Sequence, residues 1–308
     1  MQALREQMPK DEGREEVMTN VKDGLKMLKT LSKGELEMKQ GKIVVNIIVL
    51  LLAVLIIGSR SQAAETKTNS AVLDRSQLSA PVSEVDPEAI QVLRRATDYL
   101  AVLKQFRAES DMTMEYVLMD GQKLQFGHRI SVAVQRPNKI RSERVGDLVE
   151  QAFYYDGKSL SVALPKEKYY ATVAAPPTID EMLDFARDKL NVIAPASDLF
   201  YLNAFERLTE GLTSAIIVGP ASVAGVACDH LAFRNEEVDW QIWIEQGKEP
   251  LVRKFVVTSK KMPQSPQFMV AISKWDTAPK LVDAVFSFVP PKNSMKIDIL
   301  PATTAGNN

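Results

Sequence analysis

The sequence predicts an α+β fold in which helices cover one face of a large antiparallel sheet of about 11 strands. Apolar residues recur at every second position in residues 110–173 and again in residues 214–288. Helical spacing is limited to the stretches before and between these two runs. Because the helices do not alternate with the strands, neighbouring strands are expected to pair in antiparallel order, and three helices are available to cover one face.

The first helix is predicted to begin after Asp86, a favourable N-cap that is followed by proline at the first helical position. The carboxylate of Glu88 complements the helix dipole in the first turn. Apolar residues then recur at helical spacing as far as Phe106. This pattern predicts one amphipathic helix of about five turns.

The first run of strands is predicted to form a meander, with hairpin turns at Asp120-Gly121 and Asp156-Gly157. Pro137 ends its long second strand. The strands of this run are expected at residues 112–118, 124–134, 139–145, 153–155, 160–164 and 168–173.

Two helices and a second run of strands complete the predicted order. Thr178 and Glu181 form a capping box ahead of a helix that extends to about Leu190. Apolar residues between Pro195 and Gly211 predict a second helix. The later strands are expected at residues 214–218, 228–234, 239–245, 251–259, 267–275 and 284–288.

An apolar segment at residues 43–57 is typical of a signal peptide, because Lys39 and Lys42 precede it and small residues follow it. Cleavage is expected after Ala63 or Ala64. The alternative is an uncleaved anchor that contacts the membrane, although the segment is short for a span of about 20 residues. Either alternative exports the rest of the chain, to the periplasm or to the periplasmic side of the inner membrane.

The charged leader before this segment has two explanations. Met38 begins a conventional signal peptide, so translation is expected to start there; the alternative is a cytoplasmic amphipathic helix within the leader. The expected division is residues 1–37 for the leader, 38–64 for the signal peptide or anchor, 65–85 for a flexible linker, 86–291 for the folded domain and 292–308 for a tail.

Composition argues against several functions. The net charge of −1 is untypical of nucleic-acid binding. Cys228 is the single cysteine, and with His230 it forms the single Cys/His pair, so neither an internal disulfide nor a zinc site is expected. We expect Cys228 to be a buried core residue. No cofactor is predicted.

Catalysis is also not expected. Asp239 and Glu245 share a strand face but stand about 20 Å apart by strand rise, which exceeds the roughly 5–10 Å between glycosidase carboxylates. Glu236 and Glu237 point to opposite faces of a strand. The sequence contains neither G-x-S-x-G nor a glycine-rich phosphate loop.

Three basic residues lie along the predicted strand 139–145: Lys139, Arg141 and Arg144. They could bind an anionic head group. The favoured alternative is that their charge protects an edge strand from pairing with another chain.

Six stretches, mostly turns and core, form a recognisable set: 86–89 (DPEA), 118–126 (LMDGQKLQF), 154–158 (YYDGK), 229–233, 239–245 and 286–291 (FSFVPP). On these residues the chain from Asp86 to Pro291 resembles a family of predicted periplasmic proteins of unknown function. Its layout is similar to the half-barrel of the LolA/LolB-like outer-membrane lipoprotein carriers.

This resemblance implies an apolar groove between a curved sheet and its helices, which would hold a lipid or the acyl chain of a lipidated protein without catalysis. The alternatives are an envelope module that binds another protein, and an unrecognised hydrolase. For each groove residue taken singly, ordinary core packing is the favoured interpretation. Trp240 is the foremost candidate, because its strand turns Trp243 to the other face. The groove candidates are Phe126, Ile130, Met182, Phe185, Phe200, Trp240, Ile242 and Ile244.

Overall fold

A computed structural model describes residues 85–147, 149–190, 192, 194 and 196–299. The predicted leader, the signal segment and the linker up to residue 84 lie outside these residues. Across the described ranges, no helix combines the length and the apolarity that a membrane span requires.

Within the described residues, twelve strands form one open sheet, which confirms the predicted α+β class with a large antiparallel sheet. The first meander contains β1 (Gln105–Val117), β2 (Lys123–Gln135), β3 (Lys139–Gly146), β4 (Glu150–Tyr155), β5 (Ser159–Leu164) and β6 (Tyr169–Ala174). The second contains β7 (Ser214–Val223), β8 (Val226–Arg234), β9 (Val238–Glu245), β10 (Val252–Ser259) and β11 (Gln267–Asp276). The two-residue strand β12 (Met295–Lys296) is parallel to β6, so the sheet extends past residue 291.

Strand β1 joins the two meanders. It pairs antiparallel with β2 along its whole length on one side and with β11 on the other. The strand order is therefore β12-β6-β5-β4-β3-β2-β1-β11-β10-β9-β8-β7. Since successive side chains alternate between faces, this pairing places alternate residues of both meanders on one common inner face, the face on which the helices pack.

In the part of the chain that the structure describes, three α-helices cover parts of the inner face: α1 (Pro87–Val102), α2 (Ile179–Leu190) and α3 (Ala204–Thr209). The predicted caps are present at the first two. The carboxylate of Asp86 accepts a hydrogen bond from the Glu88 amide at 2.8 Å. The hydroxyl of Thr178 accepts one from the Glu181 amide at 3.2 Å, and such caps stabilise a helix by about 1 kcal/mol each.

Two apolar cores lie between the helices and the sheet. In the first, buried residues of α1 such as Leu93 and Leu100 pack with Leu231 of β8 and Ile242 of β9. In the second, residues of α2 pack with residues of β1 to β5, the buried ones being Phe106, Val134, Ile140, Tyr155, Leu160, Ile179, Met182, Ala186 and Leu190. Full burial of a large apolar side chain contributes about 1.5–3 kcal/mol, so these two cores hold the helices on the sheet.

A polar cluster connects the covering helices with one another. The carboxylate of Asp184 on α2 accepts hydrogen bonds from Tyr201 at 2.9 Å, from Arg207 at 2.9 Å and from Arg187 at 2.7 Å. The guanidinium of Arg207 on α3 also lies 3.6 Å from the ring centre of Tyr201. The cluster therefore fixes α3 and the chain before it against α2.

The strand predicted at 284–288 is wrong. A 3-10 helix occupies Asp283–Val285, and Phe286 is fully buried against Ala133 and Leu281 on the outer face of the sheet. Phe288 then lies between Tyr154 and Tyr170, at 5.4 Å from each ring. The segment covers the first meander instead of extending the sheet, because its aromatic side chains bury there.

Two predicted helix boundaries are also wrong. Helix α1 ends at Val102, and Phe106 is instead a buried residue of β1, with the ring centre of Trp275 at 5.7 Å. The helix predicted after Pro195 is broken into a 3-10 helix at Ser197–Phe200 and α3. The break turns Tyr201 inward and leaves Leu202 59% exposed, so apolar spacing alone misplaced this segment.

The predicted edge position of β3 is wrong as well, since β3 pairs with β2 on one side and β4 on the other. Its basic residues separate to two faces. Lys139 and Arg141 lie on the outer face, where Lys139 pairs with Asp283 at 2.5 Å and Arg141 pairs with Glu143. Arg144 lies on the inner face.

Replacing Gly157 by alanine should destabilise the domain more than replacing Gly225. Both glycines have a positive φ, +91° and +83°, so each alanine pays the cost of a left-handed conformation, about 1–2 kcal/mol. At Gly157 the new Cβ would also lie 2.5 Å from Nδ2 of Asn138, whereas at Gly225 it meets no atom within 4 Å. Urea unfolding should therefore show an additional loss of about 1 kcal/mol for Gly157→Ala; equal losses would contradict the tight packing of this turn.

Candidate functional site

The eight groove candidates are distributed over three parts of the inner face. Trp240, Ile242 and Ile244 are buried in the first core, under α1. Met182, Phe185 and Phe200 belong to the second core, under α2. Phe126 and Ile130 lie on the same inner face but in neither core. The expected orientation of Trp240 toward the covered face is confirmed: it is 3% exposed and stacks on Phe233 at 4.0 Å.

A cleft that is open to solvent lies where α1 passes the turn between β9 and β10. Its volume is about 610 Å³. Among the groove candidates it contacts Ile244. The cleft is lined by Val92, Arg95, Asp98, Tyr99, Val102, Asp229, Ile244, Glu245, Gln246, Gly247, Lys248 and Pro250.

Apolar and charged groups are separated within this cleft. Val92 and Ile244 are buried and form its floor, whereas Arg95, Asp98 and Lys248 are exposed and form its rim. The turn that forms one wall is held by a hydrogen bond that Nε2 of Gln246 donates to Asp229 at 2.6 Å and by an ion pair between Arg253 and Glu245. The arrangement suits a molecule with an apolar part and a polar end.

A second feature, which we call the inner patch, lies on the inner face across β1 and β2. The register places Met112 opposite His128, Met114 opposite Phe126 and Tyr116 opposite Leu124. Met112 is buried beside His128, whereas Met114, Tyr116, Leu124 and Phe126 are partly exposed. The inner patch consists of Met112, Met114, Leu124, Phe126 and Ile130.

Polar residues of β2 to β4 border the inner patch. Arg144 is paired with Ile130 on one side and with Gln151 on the other. His128 is 4% exposed, and neither of its ring nitrogens has a hydrogen-bond partner among the described residues. Burial lowers the pKa of His128, and the nearby charge of Arg144 lowers it further, against the opposing effect of Asp147. A neutral imidazole therefore lies beside a guanidinium.

Sequence reasoning missed most of both features. On α1 the apolar cleft residues Tyr99 and Val102 lie beside the core stripe, which includes Val92, and this widening of the stripe was the available signal. His128 interrupts an apolar row on β2 that runs from Phe126 to Val134. A polar residue within such a row was the signal for the second feature.

The residues considered for catalysis have structural partners. Asp239 pairs with Arg234 at 2.7 Å, and Glu245 pairs with Arg253 at 2.5 Å. Cys228 is buried, as expected, and burial raises the pKa of its thiol. Among the residues that the structure describes, no three His, Cys, Asp or Glu side chains are grouped so as to hold a metal ion.

Comparison with known proteins gives one family. The family model described as a predicted periplasmic protein (DUF2092) matches residues 89–300. The search of curated proteins returned no match.

Several solved structures are similar at low sequence identity. LprF from Mycobacterium bovis is 12% identical over 68% of this chain and 99% of its own, with a TM-score of 0.41. The lipoprotein LppX from Mycobacterium tuberculosis is 12% identical over 63% of this chain and 98% of its own, with a TM-score of 0.41. A putative outer membrane lipoprotein-sorting protein domain from Vibrio parahaemolyticus is 8% identical over 65% and 96%, with a TM-score of 0.30. Likenesses at this level transfer no function.

The free energy of unfolding should fall between pH 7.5 and pH 5.5, and His128→Gln should reduce this fall. The folded protein holds the pKa of His128 below its usual value, so the unfolded chain binds the proton first as the pH decreases. The contribution of His128 to stability is therefore fully present above about pH 6.5, the ordinary pKa of histidine, and decreases as the pH falls below that value.

Urea unfolding at several pH values measures this slope. Burial also lowers the pKa of His230, so this residue should contribute to the same pH dependence. The comparison variant His230→Gln should remove only the part of the slope that is due to His230. An unchanged slope in the His128→Gln variant would show that His128 does not titrate as inferred.

Proposed function

The chain belongs to the family of predicted periplasmic proteins (DUF2092), whose model covers residues 89–300, and from this premise we propose that it binds the apolar chain of a lipid or of a lipidated protein, without catalysis. The protein is periplasmic. The proposed ligand site is the cleft between α1 and the β9–β10 turn.

The volume of the cleft is the observation that carries this proposal. At about 610 Å³ it lies within the roughly 300–1,000 Å³ of typical small-molecule sites. The cleft is open to solvent, so it is a surface groove and not a void inside either core, and its apolar floor is accessible to a ligand. We infer that the space is kept for a ligand.

The lining supports the chemical class of that ligand. Burying an alkyl chain against Val92, Tyr99 and Ile244 would contribute about 25 cal/mol for each Å² of apolar surface removed from water. The rim offers both signs of charge, from Arg95, Lys248 and Asp98, so a polar end group would remain in a polar environment. These features support binding, and the paired carboxylates of β9 offer no free acid and base for a hydrolytic reaction.

Filling the cleft should weaken ligand binding without affecting the fold. Val102 lines the cleft and is 73% exposed, so Val102→Trp adds bulk in the cleft while leaving both cores intact. We expect affinity for cis-parinaric acid, a fluorescent fatty acid, to fall about ten-fold or more, which corresponds to about 1.4 kcal/mol. The matched control is Val282→Trp, at a residue that is 63% exposed and lies outside the cleft.

Native mass spectrometry of the protein purified from its own periplasm provides a second readout. Bound lipid in the wild type, diminished in Val102→Trp but not in Val282→Trp, would support the proposal. If the wild type carries no lipid and does not bind the probe, the proposal fails and an envelope interaction module becomes the better explanation. Equal binding by all three proteins would place any lipid site elsewhere.

A further inference from the structure

We propose that His128 and Arg144 form a binding site for an acidic group, a carboxylate or a phosphate, carried by an amphipathic molecule whose apolar part lies on the inner patch. This site is separate from the cleft, and the proposal does not depend on the function proposed for the cleft.

Both side chains of this site carry buried polar atoms without hydrogen-bond partners among the described residues. Both ring nitrogens of His128 and Nε of Arg144 are buried without a partner among the described residues. Buried polar atoms are normally hydrogen-bonded, and leaving one without a partner destabilises the folded protein. Several such atoms on two adjacent strands therefore indicate a site whose partner is a ligand.

The pairing register of β2 and β3 places His128 and Arg144 near each other. His128 of β2 is opposite Gly146 of β3, and Arg144, two residues before Gly146, is on the same face. A Cβ atom at Gly146 would lie 2.6 Å from Cδ2 of His128, so the imidazole rests on a position where a side chain is missing. The two groups thus converge from neighbouring strands on one part of the inner face.

The positive charge of Arg144 indicates that the ligand carries a negative charge. Among the described residues Arg144 forms no ion pair within 4.0 Å, whereas Arg141 on the same strand pairs with Glu143. Asp147 is the nearby acid, but its Oδ2 already accepts a hydrogen bond from the amide of Gly127 at 2.7 Å. A half-buried guanidinium without a carboxylate favours an anion, and its planar fork matches carboxylate and phosphate oxygens.

The apolar side chains around Arg144 indicate which kind of molecule carries the anionic group. Met112 is opposite His128, Ile130 is opposite Arg144, and Phe126 is the next inner-face residue of β2. Partly exposed apolar side chains next to a single cationic group match an amphiphile better than a free inorganic ion. Exclusion of water by the apolar part would also strengthen the contact between the anion and Arg144.

Histidine NMR provides a local readout, because the chain contains two histidines. His230 is on the outer face, where Nε2 is 2.9 Å from Oε1 of Gln241 and the ring stacks on Trp243 at 4.0 Å. In the ¹⁵N-histidine-labelled protein, decanoate and decyl phosphate below their micelle concentrations should shift the His128 signals and leave those of His230 in place. Binding in the cleft would not produce this shift.

Arg144→Met should weaken the binding of both acids, measured by the His128 shift, about ten-fold or more, because charge-assisted hydrogen bonds are lost. The matched control is Arg129→Met, at a side chain that is 81% exposed on the outer face of β2. Decanol, which has the chain without the charge, should produce a weaker His128 shift that neither variant alters. Unchanged His230 signals show that each variant is folded.

Three results would overturn the proposal: acids that bind Arg144→Met as they bind the wild type, a His128 shift that decanol reproduces in full, or inorganic phosphate that binds as tightly as decyl phosphate. The last would leave an anion site without an amphiphile. Failure here is distinguishable from failure of the cleft function, since Val102→Trp should leave the response of His128 unchanged.

Discussion

The pairing of β1 with both β2 and β11 is the constraint on which the rest of the molecule depends. A shift of one residue in either ladder would turn every inner side chain of one meander outward, because the side-chain period of a strand is two. The β1–β2 ladder runs without interruption, whereas the β1–β11 ladder contains one irregularity between Glu109 and Ser110. Both cores and the inner patch therefore depend on one strand, whereas the His128–Arg144 pair is set by the neighbouring β2–β3 ladder.

The two meanders are covered by different segments of the chain. The second is covered on its inner face by α1 and α3, and its outer side chains include the stacked pair His230 and Trp243. The first has α2 on its inner face and the C-terminal segment around Phe286 on its outer face. Since α2 is only 12 residues long, it does not extend over the whole inner face, and the inner patch belongs to neither core.

The cleft and the His128–Arg144 site differ in what makes each a candidate. In the cleft, space is present and the charges at the rim have room to meet solvent or one another. At His128 and Arg144, polar side-chain atoms are left without hydrogen-bond partners among the described residues. A cavity indicates the size of a ligand, whereas unpartnered polar atoms indicate its chemistry, so the two sites call for different probes.

Local chemistry in the sequence determined the turns, the caps and the alternation of each strand, which is why the Asp-Gly turns, the cap at Asp86 and the inward orientation of Trp240 could all be predicted. Each depends on residues a few positions apart. The tertiary structure alone decided that β3 is an interior strand, that Phe286 packs on the outer face and that the chain breaks at Tyr201. It also decided which residues converge: α1 meets the β9–β10 turn about 150 residues later in the chain, and Arg144 reaches His128 through strand pairing. Periodicity specifies the face on which a residue lies, but the partner across that face depends on long-range packing, which no local pattern encodes.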